Sequence, residues 1–444
     1  MAIKAGQILH VANQFVVDRL QTAGAGSLNI PTEKIFELGN KNSVAVVRDV
    51  PDLTFTLDSL DVSTEIEAIL CGKNGDGDAA RSVTPDAFGL DGTTGTKYDL
   101  GAYKPMDITS PMKSALDSFA AVKGVVVPNL ALESVSYRYG LRDNAGESYS
   151  LRGDSIYYVP GHPYMEEFTG DGVLTDFSFT TGNLPASPND KAIVYHEQGK
   201  PIYAVTVAVD GKRLLHGVDY TDTDKGITLT TAPANGAKIR VIYGSLKAKD
   251  YDLTVHQGPT VKPAAIKGKD IQVYIGTYDS GGGVMLPLFF NGVQSVNVDW
   301  RVTLEDDYEF GNPHAVARDF ADVPAVSGSV EIKPTDLDDL FKKISLITGV
   351  PVGEITGPQS AVALPLEIRL LNPESGGIPK GTDVPGGTTG VDVYDYGTVL
   401  KTLYIPDARF SVPGYEGRVQ QKLTQTLSFE SDGGVLEVFR GLRF

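Results

Sequence analysis

The side chains that most often carry chemistry are few in this sequence and poorly spaced for it. The histidines are His10, His162, His196, His216, His256 and His314, and no two stand at the His-x-x-x-His spacing that sets two imidazoles on one helix face around a metal. Cys71 is the single cysteine, so no intrachain disulfide forms and a thiolate metal site lacks a second ligand. It ends the apolar run Ile69-Leu70-Cys71, which predicts a buried thiol that packs as a small apolar group. There is no Gly-x-Ser-x-Gly elbow and no Gly-rich loop ending in Gly-Lys-Ser/Thr. Gly281-Gly282-Gly283 follows an expected strand at residues 271–275 but opens no helix, so it offers no phosphate cradle.

Three other patterns read the same way. Asn74-Gly75-Asp76-Gly77-Asp78 begins like a calcium loop, but Pro85 stands where the twelfth position needs a bidentate Glu. Asp336, Asp338 and Asp339 fall at an expected helix start, where the helix dipole is reason enough for them. Arg152-Gly153-Asp154 spells an adhesion tripeptide but lies at an expected strand end or turn. Carboxylate pairs for glycoside hydrolysis converge only in three dimensions, so spacing along the chain does not test them. The reading is of a chain with no catalytic, cofactor-binding or metal-binding residue, and not of an enzyme.

The composition sets further bounds. The chain has 444 residues, room for about three domains. Gly 49 and Pro 26 imply many turns between short strands. A formal net charge of -17 argues against gripping nucleic acid, which needs clustered Lys and Arg. No apolar run approaches the length of a membrane span, and the first residues lack the pattern of a signal peptide, so folding in a reducing cytoplasm is expected.

The elements that must position these residues are written twice. Glu37-Leu38-Gly39-Asn40 leads to Asp49-Val50-Pro51, and Glu309-Phe310-Gly311-Asn312 leads to Asp322-Val323-Pro324. A helix follows each. In one, Ile66, Ile69 and Leu70 fall at helical spacing and Gly72 closes the helix. In the other, Leu337, Leu340, Phe341, Ile344 and Ile347 form an apolar stripe, with Thr335 as N-cap and Gly349 past the end. Then Val122 to Ser134 matches Leu400 to Val412 without a gap, Lys123 over Lys401 and Pro128 over Pro406. Each of these reads as a strand broken by Pro and a second strand. Each half closes with a further strand, Ser148 to Val159 and Gln425 to Phe439. Three matches in the same order indicate duplication.

Between the halves the texture is period-two: Phe177 and Phe179; Val205, Val207 and Val209; Ile227 and Leu229; Ile239, Val241 and Tyr243. Asp210-Gly211 reads as a tight hairpin turn. The expected organisation is a first unit at 1–165, an inserted antiparallel β-sandwich at 166–250, a linker at 251–269 and a second unit at 270–444. Residues 72–95 and 374–390 read as long flexible loops.

The segments GVQSVNVDWRVTLEDDYEFGN, the 337–347 helix and LTQTLSFESDGG, repeated in plan by IPTEKIFELGN, LESVSYRYG and ESYSLRGDSIYYV, resemble the tail tube proteins of long, non-contractile bacteriophage tails, in the form with two fused copies per chain. The resemblance covers about 350 residues and departs from the plainest members in placing the extra domain between the halves. It implies a mainly β fold of two β-sandwich or half-barrel units, each with a flanking helix, and an inserted sandwich that projects outward. It implies trimeric, pseudo-hexameric rings that stack into a virion tail tube made in the host bacterial cytoplasm, and contacts with a tape measure protein and other tail proteins. It implies no cofactor. DNA would pass through the lumen without specific binding, past a wall whose carboxylates repel phosphate. The loops after the helices would make contacts between rings. Three other functions compete: a related terminator or distal ring protein; a carbohydrate or host-surface binder using Tyr195, Tyr203, Tyr220 and Tyr243 of the insert; and an enzyme such as a polysaccharide depolymerase, which a convergent carboxylate pair in a deep cleft would favour and nothing in the sequence requires.

Overall fold

Alternating apolar and polar residues make strands, and strands dominate the computed structural model of the chain. It describes, in the main, residues 11–35, 45–60, 64–71, 97–113, 121–181, 194–245, 270–279, 285–289, 292–308, 315–333, 341–351, 363–371, 399–411 and 425–440, with some positions inside these spans left out. The fold is mainly β, with large antiparallel sheets.

The first half holds β1 (Leu20–Ala25), β2 (Leu53–Ser59), α1 (Glu65–Cys71), β3 (Lys97–Asp99), β4 (Met106–Lys113), β5 (Ala121–Gly140), β6 (Gly146–Gly153) and β7 (Tyr157–Pro160). A small double sheet follows, with β8 (His162–Thr169), β9 (Asp176–Ser178), β10 (Thr206–Val209), β11 (Lys212–Arg213), β12 (Tyr220–Thr223), β13 (Gly226–Leu229) and β14 (Lys238–Ser245). The second half holds β15 (Ile271–Asp279), β16 (Val293–Arg301), β17 (Leu304–Asp307), β18 (Ala317–Phe320), β19 (Ala325–Ile332), β20 (Ala363–Leu371), β21 (Val399–Phe410), β22 (Gln425–Ser431) and β23 (Glu437–Arg440).

Eight of these strands pair in one antiparallel run, β1-β2-β6-β5-β16-β19-β22-β21. The first four belong to one half and the last four to the other, and the pairing order repeats. The N-terminal arms of β5 and β21 repeat it too: β5 lies between β4 and β7, and β21 between β20 and β23. One face of the run is core. Leu57, Tyr149, Val135, Trp300 and Val326 are cross-strand neighbours on it, and all are buried. Helix α1 adds Ile66, Ile69 and Leu70 to the same core, as its spacing predicts. Gly328 lies between Val298 and Phe429 in the row below; a Cβ there would stand 2.5 Å from the Phe429 ring, so no other residue lets that aromatic close the layer.

The structure departs from the sequence reading at three places. Neither strand expected to break at Pro does so: β21 runs through Pro406, and β5 runs through Pro128, bulged rather than cut. Asn129 takes φ 56°, a left-handed conformation that Asn tolerates, and its N–H donates to Asp107 Oδ1 at 2.7 Å. The strand therefore changes neighbours without ending, from β4 and β7 to β6 and β16. Conversely, the single closing strand expected at 148–159 is two, β6 and β7, and that expected at 425–439 is β22 and β23. Finally, the boundary expected at 165/166 falls inside β8, which pairs with β14 along its whole length from His162 onward.

The insert has its own core. Sheets β8-β14-β10-β11 and β9-β13-β12 enclose Tyr164, Phe177, Phe179, Val207, Ile227, Leu229, Ile239, Val241 and Tyr243. Phe179 stacks on Tyr243 with ring centroids 4.1 Å apart. Asp210 and Gly211, both at positive φ, turn β10 into β11 as expected. The linker expected at 251–269 and the loops expected at 72–95 and 374–390 lie outside the described residues. Of the second helix, residues 341–342 and 344–345 are helical and Ile344 is buried.

Candidate assembly interface

The strongest feature is the seam where the halves meet, β5 against β16, in register from Ser134 opposite Arg301 to Gly140 opposite Ser295. Period two splits its residues cleanly. Val135, Tyr137 and Tyr139 from β5 and Val296, Val298 and Trp300 from β16 all face the core and are buried. Large aromatics dominate such layers because each removes much apolar surface from water.

The other face is polar and made of small groups. One row crosses all eight strands: Thr22, Asp58, Ser148, Ser136, Asp299, Ser327, Glu430 and Arg409. The neighbouring row is Gly24, Thr56, Ser150, Ser134 and Arg301. On the other side lie Arg138, Asn297, Ser329 and Ser428, then Ser295, Glu331 and Thr426. Carboxylates at Asp58, Asp299, Glu331 and Glu430 are set among guanidiniums at Arg138, Arg152, Arg301 and Arg409, with hydroxyls between. Several are held: Ser148 donates to Asp58 Oδ1 at 2.5 Å, Ser295 to Glu331 at 2.9 Å, and Arg409 reaches Asp432 at 2.5 Å.

Two buried polar clusters cross the seam. In the first, Arg318 of β18 reaches Asp306 at 2.7 Å, Asp154 of the first half at 3.4 Å, and the carbonyl of the bulged Asn129 at 3.1 Å. Arg152 joins it, 3.1 Å from Asp306 and 3.1 Å from Asp52. Hence the Arg152-Gly153-Asp154 tripeptide is engaged internally, with Asp154 buried.

The second cluster surrounds Lys401 of β21, which is fully buried. Its Nζ contacts Glu67 of α1 and lies 2.8 and 2.9 Å from the two oxygens of Glu147 on β6. Tyr137 donates to Glu67 at 2.8 Å, and Tyr139 lies 3.3 Å from Glu147. Tyr149 lies 2.8 Å from Glu67 Oε1 and 2.7 Å from Glu147 Oε2. Burial pushes the Glu147 carboxyl up to about 7 against the pull of Lys401, with Glu67 adding to the rise. Burial pulls the Lys401 ammonium down, but the two carboxylates outweigh it and the net direction is up. A third link is open to solvent: β3 pairs with β23, and Lys97 meets Glu437.

The residues screened for chemistry fall elsewhere. Cys71 is buried in the core, and burial, with Glu67 adding to it, pushes its thiol far up. His216 Nε2 lies 2.6 Å from Asp222 on the insert, and His162 is buried where β8 begins. Tyr220 and Tyr243, read as candidate sugar platforms, are buried in the insert's core. Residues 74–78, 281–283 and 336–339, with His10, His256 and His314, lie outside the described residues, as do the side chains of His196, Tyr195 and Tyr203. Among the described residues no group of three or more His, Cys, Asp or Glu could hold a metal ion, and no helix is long and apolar enough to cross a membrane. Glu67 and Glu147 were not singled out in the sequence. Their signal was phase: Glu147 alternates with Tyr149 and Leu151, all buried, and Lys401 stands inside Val399-Leu400-Lys401-Thr402-Leu403. No protein-family model matches the chain, and a search of curated proteins returns no match.

Proposed function

We propose that this chain is a structural subunit of a bacteriophage tail tube, and that three copies close a pseudo-hexameric ring around a channel for DNA. The observation that carries the reading is the eight-strand run, in which two halves with one pairing order lie side by side through β5 and β16. A unit that extends a neighbour's sheet once inside the chain has the geometry to do so again between chains. Strand β1 supports this: it stands at the end of the run, and among the described residues the strand it pairs with is β2. Closed rings remove such edges, as closed symmetry does in other oligomers.

The polar face of the run then lines the channel. Its hydroxyls and balanced charges give a sliding polyanion no continuous cationic track to grip. The insert is rooted where Pro163 packs on Gly124 and where Arg240 bridges Glu167 and Asp107, and in this reading it is the outward decoration of the ring. The protein acts by assembly, with the tape measure protein and other tail proteins as partners, and not by catalysis.

Negative-stain microscopy of the purified chain and of its virion tests the reading. Stacked hollow rings with three outward knobs are the expected image. Solid particles without a central hole in both samples would remove it.

A further inference from the structure

The cluster at Lys401 contains more acceptors than its protons can serve. Tyr149 has one hydroxyl proton, yet its oxygen lies at hydrogen-bond distance from Glu67 Oε1 and from Glu147 Oε2. With both carboxylates ionised, one of those contacts would set two oxygens together with no hydrogen between them. The conflict disappears when one carboxyl keeps a proton. Glu147 is the place for it: a protonated Oε2 donates to Tyr149, which donates to Glu67. On Glu67, the atom Oε2 is buried and has no hydrogen-bond partner, so a proton there would have no acceptor. With the proton on Glu147, Glu67 accepts at Oε1 from Tyr137, Tyr149 and Lys401. The buried charge then sums to zero, one ammonium with one carboxylate.

The two halves treat this position differently. Lys123 in β5 lies between Met112 of β4 and Pro160 of β7, as Lys401 lies between Leu370 of β20 and Arg440 of β23, but Lys123 is exposed. The register also places Gln425 opposite Ile332 where Glu147 stands opposite Ser59, and Leu427 opposite Val330 where Tyr149 stands opposite Leu57. A second charged socket is not written into the second half.

We infer that Glu67, Glu147 and Lys401 form a clasp that fixes the second half against the first, and that the clasp is closed by one proton held between its two carboxyl groups. Removing that proton leaves a buried net negative charge and loosens the junction. The groups that face it are Glu67 and Cys71 from α1, Tyr137 and Tyr139 from β5, Glu147 and Tyr149 from β6, and Lys401 from β21, with Asp99 beyond Cys71. Among these, Glu147 is the group carried up to about 7. Its ordinary range is lower, so the stabilisation is complete below that range and is lost as pH rises through about 7.

The test is denaturant unfolding of the full chain from about pH 5.5 to about pH 8.5, wild type against Glu147→Gln, with amide exchange in 134–140 and 295–301 corrected for its intrinsic pH dependence. The wild type is expected to lose stability and gain seam exchange across neutrality. Glu147→Gln, whose amide donates to Tyr149 at every pH, is expected to hold the acid-side behaviour throughout. A wild-type profile that stays flat, or one that Glu147→Gln reproduces unchanged, overturns the clasp. Should the variant not fold, infrared spectra of the wild type decide: the carbonyl band of a buried protonated carboxyl is expected on the acid side and lost above neutrality, and its absence on the acid side overturns the inference. None of these outcomes depends on the chain forming a tube.

Discussion

Lys123 and Lys401 occupy matching places in two halves that share a strand order, yet one is exposed and the other has no exposed surface. The difference lies in what stands across from each. Lys401 points into the first half, where Glu67 and Glu147 wait beneath three tyrosines. Lys123 lies beside the root of the insert, where Pro163 covers Gly124. Aligned lysines thus report a common backbone and say nothing of burial. What two halves with one strand order do with one residue is decided by the neighbour it packs on.

The largest expected effect breaks the comparison at its buried end. Lys401→Met leaves two carboxyl groups facing each other in the core without their cation, and it should cost about 3–5 kcal/mol in denaturant unfolding. Adding Glu67→Gln and Glu147→Gln to that variant should recover part of the loss, because the charge that was left unpaired is gone.

Next comes a substitution that keeps the junction out of the measurement. Phe179→Ala removes the ring stacked on Tyr243 in the insert's core and should destabilise that domain by about 3–4 kcal/mol. Limited proteolysis should then cut within 162–245 first, while the pH dependence of the seam stays as in the wild type.

Smaller is the protonation effect itself. With the Glu147 carboxyl near 7 in the fold and near its ordinary 4.5 when unfolded, the stability held on the acid side and lost by about pH 8.5 approaches ~3 kcal/mol. Glu147→Gln should flatten that slope, read as unfolding midpoints against pH. The smallest effect belongs to the exposed partner. Lys123→Met should shift the midpoint by no more than about 0.5 kcal/mol and leave the pH profile in place.

Much of the fold was legible because period two and period 3.6 leave plain marks. Ile66, Ile69 and Leu70 gave α1, Phe177 and Phe179 gave the insert's core, and Asp210-Gly211 gave its hairpin. The bulge at Asn129 was not legible: Pro128 looked like a break, and only the Asp107 side chain and Arg318, the latter 189 residues away, make the left-handed residue a continuation. The seam is also a long-range fact, since nothing local in VSYRYG names its partner in VNVDWR. The clasp could have been noticed as charge in phase with apolar residues at Glu147 and Lys401, but which charges meet is set by residues 254 and 334 positions apart. The sum of charge over the chain does not say where carboxylates stand, so the mixed charges of the polar face were not legible in composition.

The most direct measurement of the central claim is the mass of the smallest closed species, by native mass spectrometry of the purified chain over a range of concentrations. Side-by-side extension through β1 predicts a particle of three chains of 47.4 kDa each, with larger species as multiples of it. A chain that stays monomeric at every concentration, or stops at a dimer, contradicts the account.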